Sequence, residues 1–400
     1  MTTTIDNEQK TLNVPNLRFP EFEGEWEKER LGNECNIQMC KRIMAAQTNT
    51  ECGVPFYKIG TIGGKADAYI SKELFDEYKT KYPFPHRGEV MITCAGTVGK
   101  CIIYNGEESY YQDSNIVWID NPKEIISNDF LFYLLSRINW SYLNSTTIVR
   151  IYNDDLRNLK LYYPKHDEQK KLTHFLFLIN ERISTQNKII EDLKKLRSAI
   201  SKYLFERKDL FENKIKLSKV AELKNGYAFQ SSKYNALGKW KILTIANVAG
   251  ERYVKTNECN CIIEIPYDIQ KHQKLEANDI LISLTGNVGR VSLCTEGFFL
   301  LNQRVGLLQL KISENREFIY QVLSFHKFEE SMIACAQGAA QMNIGKGDVE
   351  NYILPYSFNK ENINSVASVL KNYDKYIINE INMLSMLHSQ KQYLLRQMFI

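Results

Sequence analysis

The sequence predicts an α/β (α+β) domain written twice, each copy followed by a long helix, with the two helices forming an antiparallel coiled coil that separates the domains. Three observations predict this. Residues 90–104 (VMITCAGTVGKCIIY) recur at an offset of 190 as residues 280–294 (ILISLTGNVGRVSLC), so Gly96 falls on Gly286, Gly99 on Gly289 and Lys100 on Arg290. Each half then reaches a strand that ends in proline, LKLYYP at Pro164 and VENYILP at Pro355. A long amphipathic pattern follows each proline, and the first runs from Glu168 to Phe205 without Gly or Pro.

The repeat reads as strand, Gly-x-x-Gly turn, strand, with Val and Ile on both arms. A turn pair precedes each copy, Gly88-Glu89 and Asn278-Asp279. Upstream, residues 57–62 (YKIGTI) resemble 242–248 (ILTIANV), and polar runs at 112–114 and 302–304 follow the turns. The expected organisation is a tail (1–22), a first α/β domain (23–165), a first helix (166–209), a second α/β domain (210–357) and a second helix (358–400).

A heptad register places Leu172, Leu176, Ile179, Ile183, Gln186, Ile190, Leu193, Arg197, Ile200 and Leu204 on one seam. The second helix offers Val366, Leu370, Tyr373, Ile377, Glu380, Leu384, Leu387, Lys391, Leu394 and Met398. Alternating steps of four and three are coiled-coil spacing. Each stripe is about 50 Å long at 1.5 Å per residue, long for one face of a single domain. Setting Arg197 against Glu380 makes Gln186 face Lys391. Ile183 then meets Leu394, Ile190 meets Leu387, Leu193 meets Leu384 and Ile200 meets Ile377, so every other layer is apolar. A polar layer of this kind specifies register.

Composition sets limits on function. The chain has 400 residues, 44% hydrophobic and 24% charged, with a formal charge of +4. That suits two or three folded domains and excludes a largely disordered chain. The longest apolar runs are far short of a membrane helix, and the N-terminus has no signal-peptide pattern, so a cytoplasmic protein is expected. Nine cysteines form no Cys-x-x-Cys pair, and no Cys/His cluster has zinc spacing, so reduced thiols and no metal are expected. AGTVGKC lacks the first glycine and the Ser/Thr of a phosphate loop. No catalytic constellation is present, so catalysis by this chain is not expected.

The polar stretches suit a nucleic acid better. Residues 40–42 lead into 47–50, and 224–227 into 230–233. Late in the domains come 146–150 (TTIVR) and 337–343 (QGAAQMN). Arg and Lys suit phosphates and guanine edges, Asn and Gln suit adenine, and Ser and Thr serve either. The first-copy candidates are Lys41, Arg42, Gln47, Asn49, Thr97, Lys100 and Arg150. Those of the second copy are Tyr227, Gln230, Ser231, Lys233, Asn287, Arg290, Arg304, Gln341, Asn343 and Lys346. Antiparallel helices relate the two copies by a pseudo-two-fold axis, which suits duplex DNA read as two half-sites.

With LRFPEFEGEW at 17–26, the twin GEVMITCAGTVGK and NDILISLTGNVGR segments, the proline-terminated strands and the helices opening Glu168-Gln169 and Glu361-Asn362, the chain resembles the specificity subunit of a type I restriction–modification system over nearly its whole length. The resemblance implies that each α/β domain is a target recognition domain and that the helices are spacers binding two modification subunits. Those partners would carry S-adenosylmethionine and methylate adenine N6. Two further subunits, using ATP and Mg, would translocate and cleave unmodified double-stranded DNA. This chain would bind no cofactor itself. The alternative is a two-domain DNA-binding or assembly scaffold without methyltransferase partners. Departures are small: Gly88-Glu89 and Asn278-Asp279 at the turns, and Asn362 where the first copy has Gln169.

Overall fold

A computed structural model describes residues 12–140, 150–311, 315–337 and 341–400, and the chain divides into two compact units. One comprises residues up to 185 together with 384–400, and the other residues 186–383. Both long helices are continuous, His166–Glu206 and Lys360–Gln397, and each contributes to both units.

In the first unit a four-stranded antiparallel sheet has the order Asn36–Gln38, Ile116–Asp120, Val90–Thr93, Cys101–Ile103. A three-stranded sheet places Val54–Tyr57 between Tyr69–Ile70 and Tyr110–Tyr111, and Glu27–Arg30 pairs with Lys160–Tyr163. Helix Asn128–Arg137 starts at Ser127, whose hydroxyl accepts from Phe130 N at 3.3 Å. It buries Phe130, Leu131, Leu134 and Leu135 in a core shared with Val90 and Ile92. The same core takes Leu172 and Leu176 from the first helix and Leu394, Leu395, Met398 and Phe399 from the end of the second. Phe399 lies 5.1 Å from the Phe130 ring and 6.3 Å from Trp26. The Glu168-Gln169 motif is a fastener: Glu168 takes Arg18 at 2.6 and 2.7 Å and the Trp26 indole at 3.3 Å, while Gln169 bonds Pro164 O, Ile125 O and Ser127 N.

The second unit repeats this topology. Its four-stranded sheet has the order Ala221–Asn225, Val305–Leu310, Ile280–Ser283, Val291–Leu293. Trp240–Leu243 and Phe299–Leu301 lie at the centre of a second sheet, and Asn213–Lys216 pairs with Ile353–Tyr356. The turn pairs work alike in both copies. Gly88 and Asn278 sit at φ +95° and +69°, in the left-handed region that Gly enters freely and Asn tolerates. The following acid then accepts a backbone N–H, Glu89 from His86 at 2.7 Å and Asp279 from Glu276 at 2.8 Å. All nine cysteines are unpaired.

The twelve predicted seam residues Ile183, Gln186, Ile190, Leu193, Arg197, Ile200, Ile377, Glu380, Leu384, Leu387, Lys391 and Leu394 are all buried or half-buried. The predicted register is not the observed one. Within the second unit the Gln186 amide donates to Glu380 O at 3.1 Å and to the Glu380 carboxylate. Gln186 thus stands where the heptad register placed Arg197, eleven residues further on. Ile200 shares a cluster with Val366 and Leu370 rather than Ile377. In the first unit Leu394 shares one with Leu172 and Leu176 rather than Ile183. Eleven residues are close to three helical turns, so the shift leaves the apolar stripe on the same face. The helix segments of the second unit run antiparallel, as expected, because Arg197 lies beyond Gln186 while its partner Asp374 lies before Glu380.

Arg197 belongs to a buried charge cluster in this unit. Its Nε donates to Asp374 Oδ1 at 2.9 Å, and its Nη2 to Gln321 Oε1 at 2.7 Å and Ser324 Oγ at 3.0 Å. Arg252 spans both Glu317 oxygens at 2.6 and 2.8 Å and reaches Asp374 Oδ2 at 2.6 Å. The Gln321 amide nitrogen joins Glu317 and Asp374 at 2.9 and 2.7 Å.

Two predictions follow from the packing. Phe399→Ala removes a ring from the first unit's core and should destabilise it by about 3–5 kcal/mol, seen as a lower urea midpoint for that unit. The second concerns acid. Burial pushes the Glu317 carboxyl up, but hydrogen bonds from Arg252 and Gln321 outweigh it and hold the group below its ordinary value of 4.5. Its contribution is complete above that value and is lost as pH falls through the lower folded one. Urea titrations should show the stability gap between wild type and Glu317→Gln shrinking as pH drops below about 4.5.

Candidate nucleic-acid interface

Strand register makes the two copies comparable residue by residue. Ile37 pairs with Ile119, which pairs with Val90; Leu223 pairs with Leu308, which pairs with Ile280. Ile37 and Leu223 are therefore counterparts. Four residues on, Lys41 corresponds to Tyr227, and the 3-10 turns Ala45–Gln47 and Ser231–Lys233 coincide.

In the first copy this loop lies against the run at 112–115. Arg42 Nε pairs with Asp113 Oδ2 at 2.8 Å, and the Arg150 guanidinium reaches Ser114 O at 3.5 Å. Cys94 O accepts from Ile151, and Cys94 N donates to Asn115 O, joining the same end of the sheet. A cleft of about 340 Å³ opens here between Arg42, Thr48, Lys58 and Gln112. The Gln112 Oε1 in it is buried with no hydrogen-bond partner. Lys41 lies 5.2 Å from the Tyr82 ring, and Tyr110 OH donates to Lys41 O at 3.0 Å. Burial pushes the neighbouring Cys40 thiol up to about 12, so it stays a neutral packing group.

In the second copy four segments converge. Tyr227 N donates to Leu301 O and Gln303 N to Tyr227 O. Leu284 N donates to Arg304 O, Ile344 N to Leu284 O, and Gly286 N to Met342 O. Gly226 is needed for this approach, since a Cβ there would lie 2.1 Å from Asn302 O. A cleft of about 590 Å³ is lined by Tyr227, Phe229, Gln230, Lys233 and Tyr267. Tyr267 is fully exposed, and Tyr227 OH donates to Asp268 at 2.9 Å. An exposed aromatic beside amides and a lysine offers stacking, hydrogen bonding and charge together.

The structure sorts the predicted residues. Gln230, Ser231, Lys233, Arg304, Gln341 and Asn343 are exposed, and Asn343 bridges Thr285 next to the Gly286–Asn287 turn. Thr97 and Asn287 are exposed at the turn tips, where their carbonyls accept from Thr93 and Ser283 hydroxyls. Gln47 and Asn49 spend their side-chain oxygens on the loop itself, Gln47 on Met44 N and Asn49 on Glu51 and Cys52 N. Several cations are already engaged. Lys100 donates to Ile62 O at 2.5 Å, Arg290 pairs with Glu329 at 3.3 Å, and Arg42 pairs with Asp113. Lys346 likewise bonds Glu222 at 2.8 Å, on the strand Ala221–Asn225. Lys346 and Lys224 hold the Glu222 carboxyl down at about 2. Residues 146–149 and 338–340 lie outside the described residues. Sequence reasoning missed Lys58, Gln112, Phe229 and Tyr267, since only the cleft reveals that they share a surface with the others. Among the described residues no His/Cys/Asp/Glu group could hold a metal, and no helix is long and apolar enough to cross a membrane.

The model of a family described as "Type I restriction modification DNA specificity domain" matches residues 23–195 and 211–383. A type I restriction enzyme specificity subunit of Haemophilus influenzae is 46% identical over 146 residues, 36% of this chain and 38% of that protein, so the match spans well under half of it. The MjaVIII specificity subunit of Methanocaldococcus jannaschii is 26% identical over 403 residues, 92% of this chain and 90% of that one. Among solved structures, the type I S subunit of M. genitalium superposes with a TM-score of 0.56 at 15% identity, covering 97% of this chain and 99% of that one. A chain from a study of complex assembly in the type I R-M system gives 0.57 at 16%, covering 92% and 96%. At these identities the structural likeness speaks for the fold.

If these faces meet DNA, Lys233→Ala and Arg304→Ala should each lower the slope of log K against log salt by about one unit, whereas Lys346→Ala should leave it unchanged. Duplex binding titrated at several salt concentrations checks this.

Proposed function

Because the chain belongs to the type I restriction–modification DNA specificity family, we propose that each α/β domain reads one half of a bipartite, asymmetric DNA site while the spacer helices set the gap. The observation that carries this is the pairing of one frame with two different loops. At matched positions the first copy presents Lys41, Arg42 and Gln47, and the second Tyr227, Ala228 and Lys233. A frame held constant by its buried core and loops that differ in chemistry imply half-sites that differ in sequence.

In this reading the helices also bind two methyltransferase subunits, which supply S-adenosylmethionine and methylate adenine N6. Two restriction subunits, with ATP and Mg, translocate and cleave unmodified DNA in the cytoplasm. The chain itself selects the site and performs no chemistry. Exposed apolar side chains along the helices, Phe177, Leu178, Leu196, Tyr376 and Met386, support their use as a partner surface.

A genome-wide map of N6-methyladenine with and without the chain tests the proposal. Loss of one split, asymmetric motif is expected on deletion, together with co-purification of two methyltransferase chains per copy. An unchanged map with no such partner would instead favour a DNA-binding scaffold. Removing matched four-residue segments from both helices, about 6 Å, should shorten the gap by one to two base pairs. An unchanged gap in an assembled variant would defeat the ruler.

A further inference from the structure

The charge cluster of the second unit lies where its α/β domain meets the two helix segments. Arg197 comes from one helix and Asp374 from the other. Arg252, Glu317, Gln321 and Ser324 come from the domain. Two guanidiniums face two carboxylates, with Lys371 Nζ 4.0 Å from Glu317 at the edge, and the Arg252 and Asp374 side chains are each 7% exposed. The apolar part of the same junction packs Ile200, Leu204 and Phe205 with Phe318, Val366 and Leu370. Apolar packing is non-directional and tolerates adjustment. The charged part does not. Both Asp374 oxygens and both Glu317 oxygens are committed, so sliding or turning the domain on the helices leaves buried charges unpaired.

The first unit meets its helix differently at the matching place. Helix Asn128–Arg137 (NDFLFYLLSR) aligns with Arg316–Leu323 (REFIYQVL), which puts Tyr133 at the place of Gln321. Asn180 lies at the place of Asp374, 194 residues earlier, and a single neutral bond joins it to Tyr133 OH at 2.8 Å. At this place the second junction holds ions and the described residues of the first hold a neutral hydrogen bond; the first domain's own ion pair, Arg18–Glu168, lies at the start of the helix.

We propose that the Arg197–Asp374–Arg252–Glu317 cluster, closed by Gln321, is the specificity-positioning element of the second domain: it fixes a single seating on the helices and thereby the gap length at which the second half-site is accepted. This rests on the function proposed above. The residues touch no base; they act by holding the domain that does. The first domain, with a neutral hydrogen bond at the matching place, contributes less to gap selectivity.

The test uses the complex assembled with its methyltransferase partners. Methylation is measured on duplexes carrying the native gap, one base pair fewer and one more. Wild type should methylate the native gap alone. Glu317→Gln and Asp374→Asn should lose gap discrimination by about tenfold or more while methylating the native gap at close to the wild-type rate. Arg252→Lys, which keeps the charge and loses the fork, should fall between. Tyr133→Phe should leave discrimination unchanged. Unaltered discrimination in variants with wild-type circular dichroism overturns the proposal. So does an equal loss at every gap, which marks a merely structural role. Where the Asn or Gln variants fail to fold, Arg252→Lys decides. A wild type that methylates all three gaps alike, or none, defeats the functional reading itself.

Discussion

Burial of the stripe on the two long helices is the constraint on which the rest of the structure depends. A helix of some forty residues exposes more apolar surface than it can cover itself, so it must be roofed elsewhere. The first unit is roofed by Leu172 and Leu176 near the start of the first helix and by Leu394, Leu395, Met398 and Phe399 at the end of the chain. Its core is therefore completed by residues about two hundred positions away. Closing that loop costs entropy, but the cost grows only slowly with length, and a buried aromatic group such as Trp26, Phe130 and Phe399 offsets it. A domain built this way cannot be finished without the long helices, so integrity of the helices and of the domain is one property.

Within that constraint, the frame and the loops answer to different physics. The Gly-x-x-Gly turns hold the same backbone in both copies, with Gly96 and Gly286 at φ +64° and +71° and Gly99 and Gly289 at +82° and +79°. A Cβ at Gly99 would meet Trp140 at 2.1 Å, and one at Gly289 would meet Met332 at 2.7 Å. Those positions are settled by sterics whatever the DNA sequence. The loops after Asn36–Gln38 and Ala221–Asn225 differ in sequence, and beyond Gly226 at the start of the second their exposed positions are under no such restriction.

This division also explains what could be read without coordinates. The repeat, the strands and the apolar stripes were legible because glycine turns and periodic burial leave marks in the sequence. The helix register was not. A heptad count treats Arg197 as a seam residue seeking Glu380, yet Asp374 lies off that seam and Arg197 turns to it and to the domain's Gln321 and Ser324. Three turns of helix return the stripe to almost the same face, so apolar pattern alone leaves the two registers nearly equal. The partners of the loop cations were illegible for a related reason. Lys346 meets Glu222 at 2.8 Å across 124 residues of sequence. Pairing of this kind is tertiary, and no local pattern announces it.

Buried ions are a poor way to gain stability, since desolvation offsets most of the attraction and an apolar junction of equal size often serves better. The second unit already has such a junction in Phe318, Leu370 and their neighbours, and at the corresponding place of the first unit Asn180 donates a neutral hydrogen bond to Tyr133. What the cluster adds is therefore direction. An apolar surface can settle in neighbouring seatings of similar energy, but two guanidiniums and two carboxylates with matched oxygens admit one. On the function proposed above, a domain free to rock at its base would blur the gap set by the helices however rigid they are. Retaining these charges in a core is intelligible on those terms: they trade part of the stability that an apolar junction would provide for a single angle between the domain and its helices.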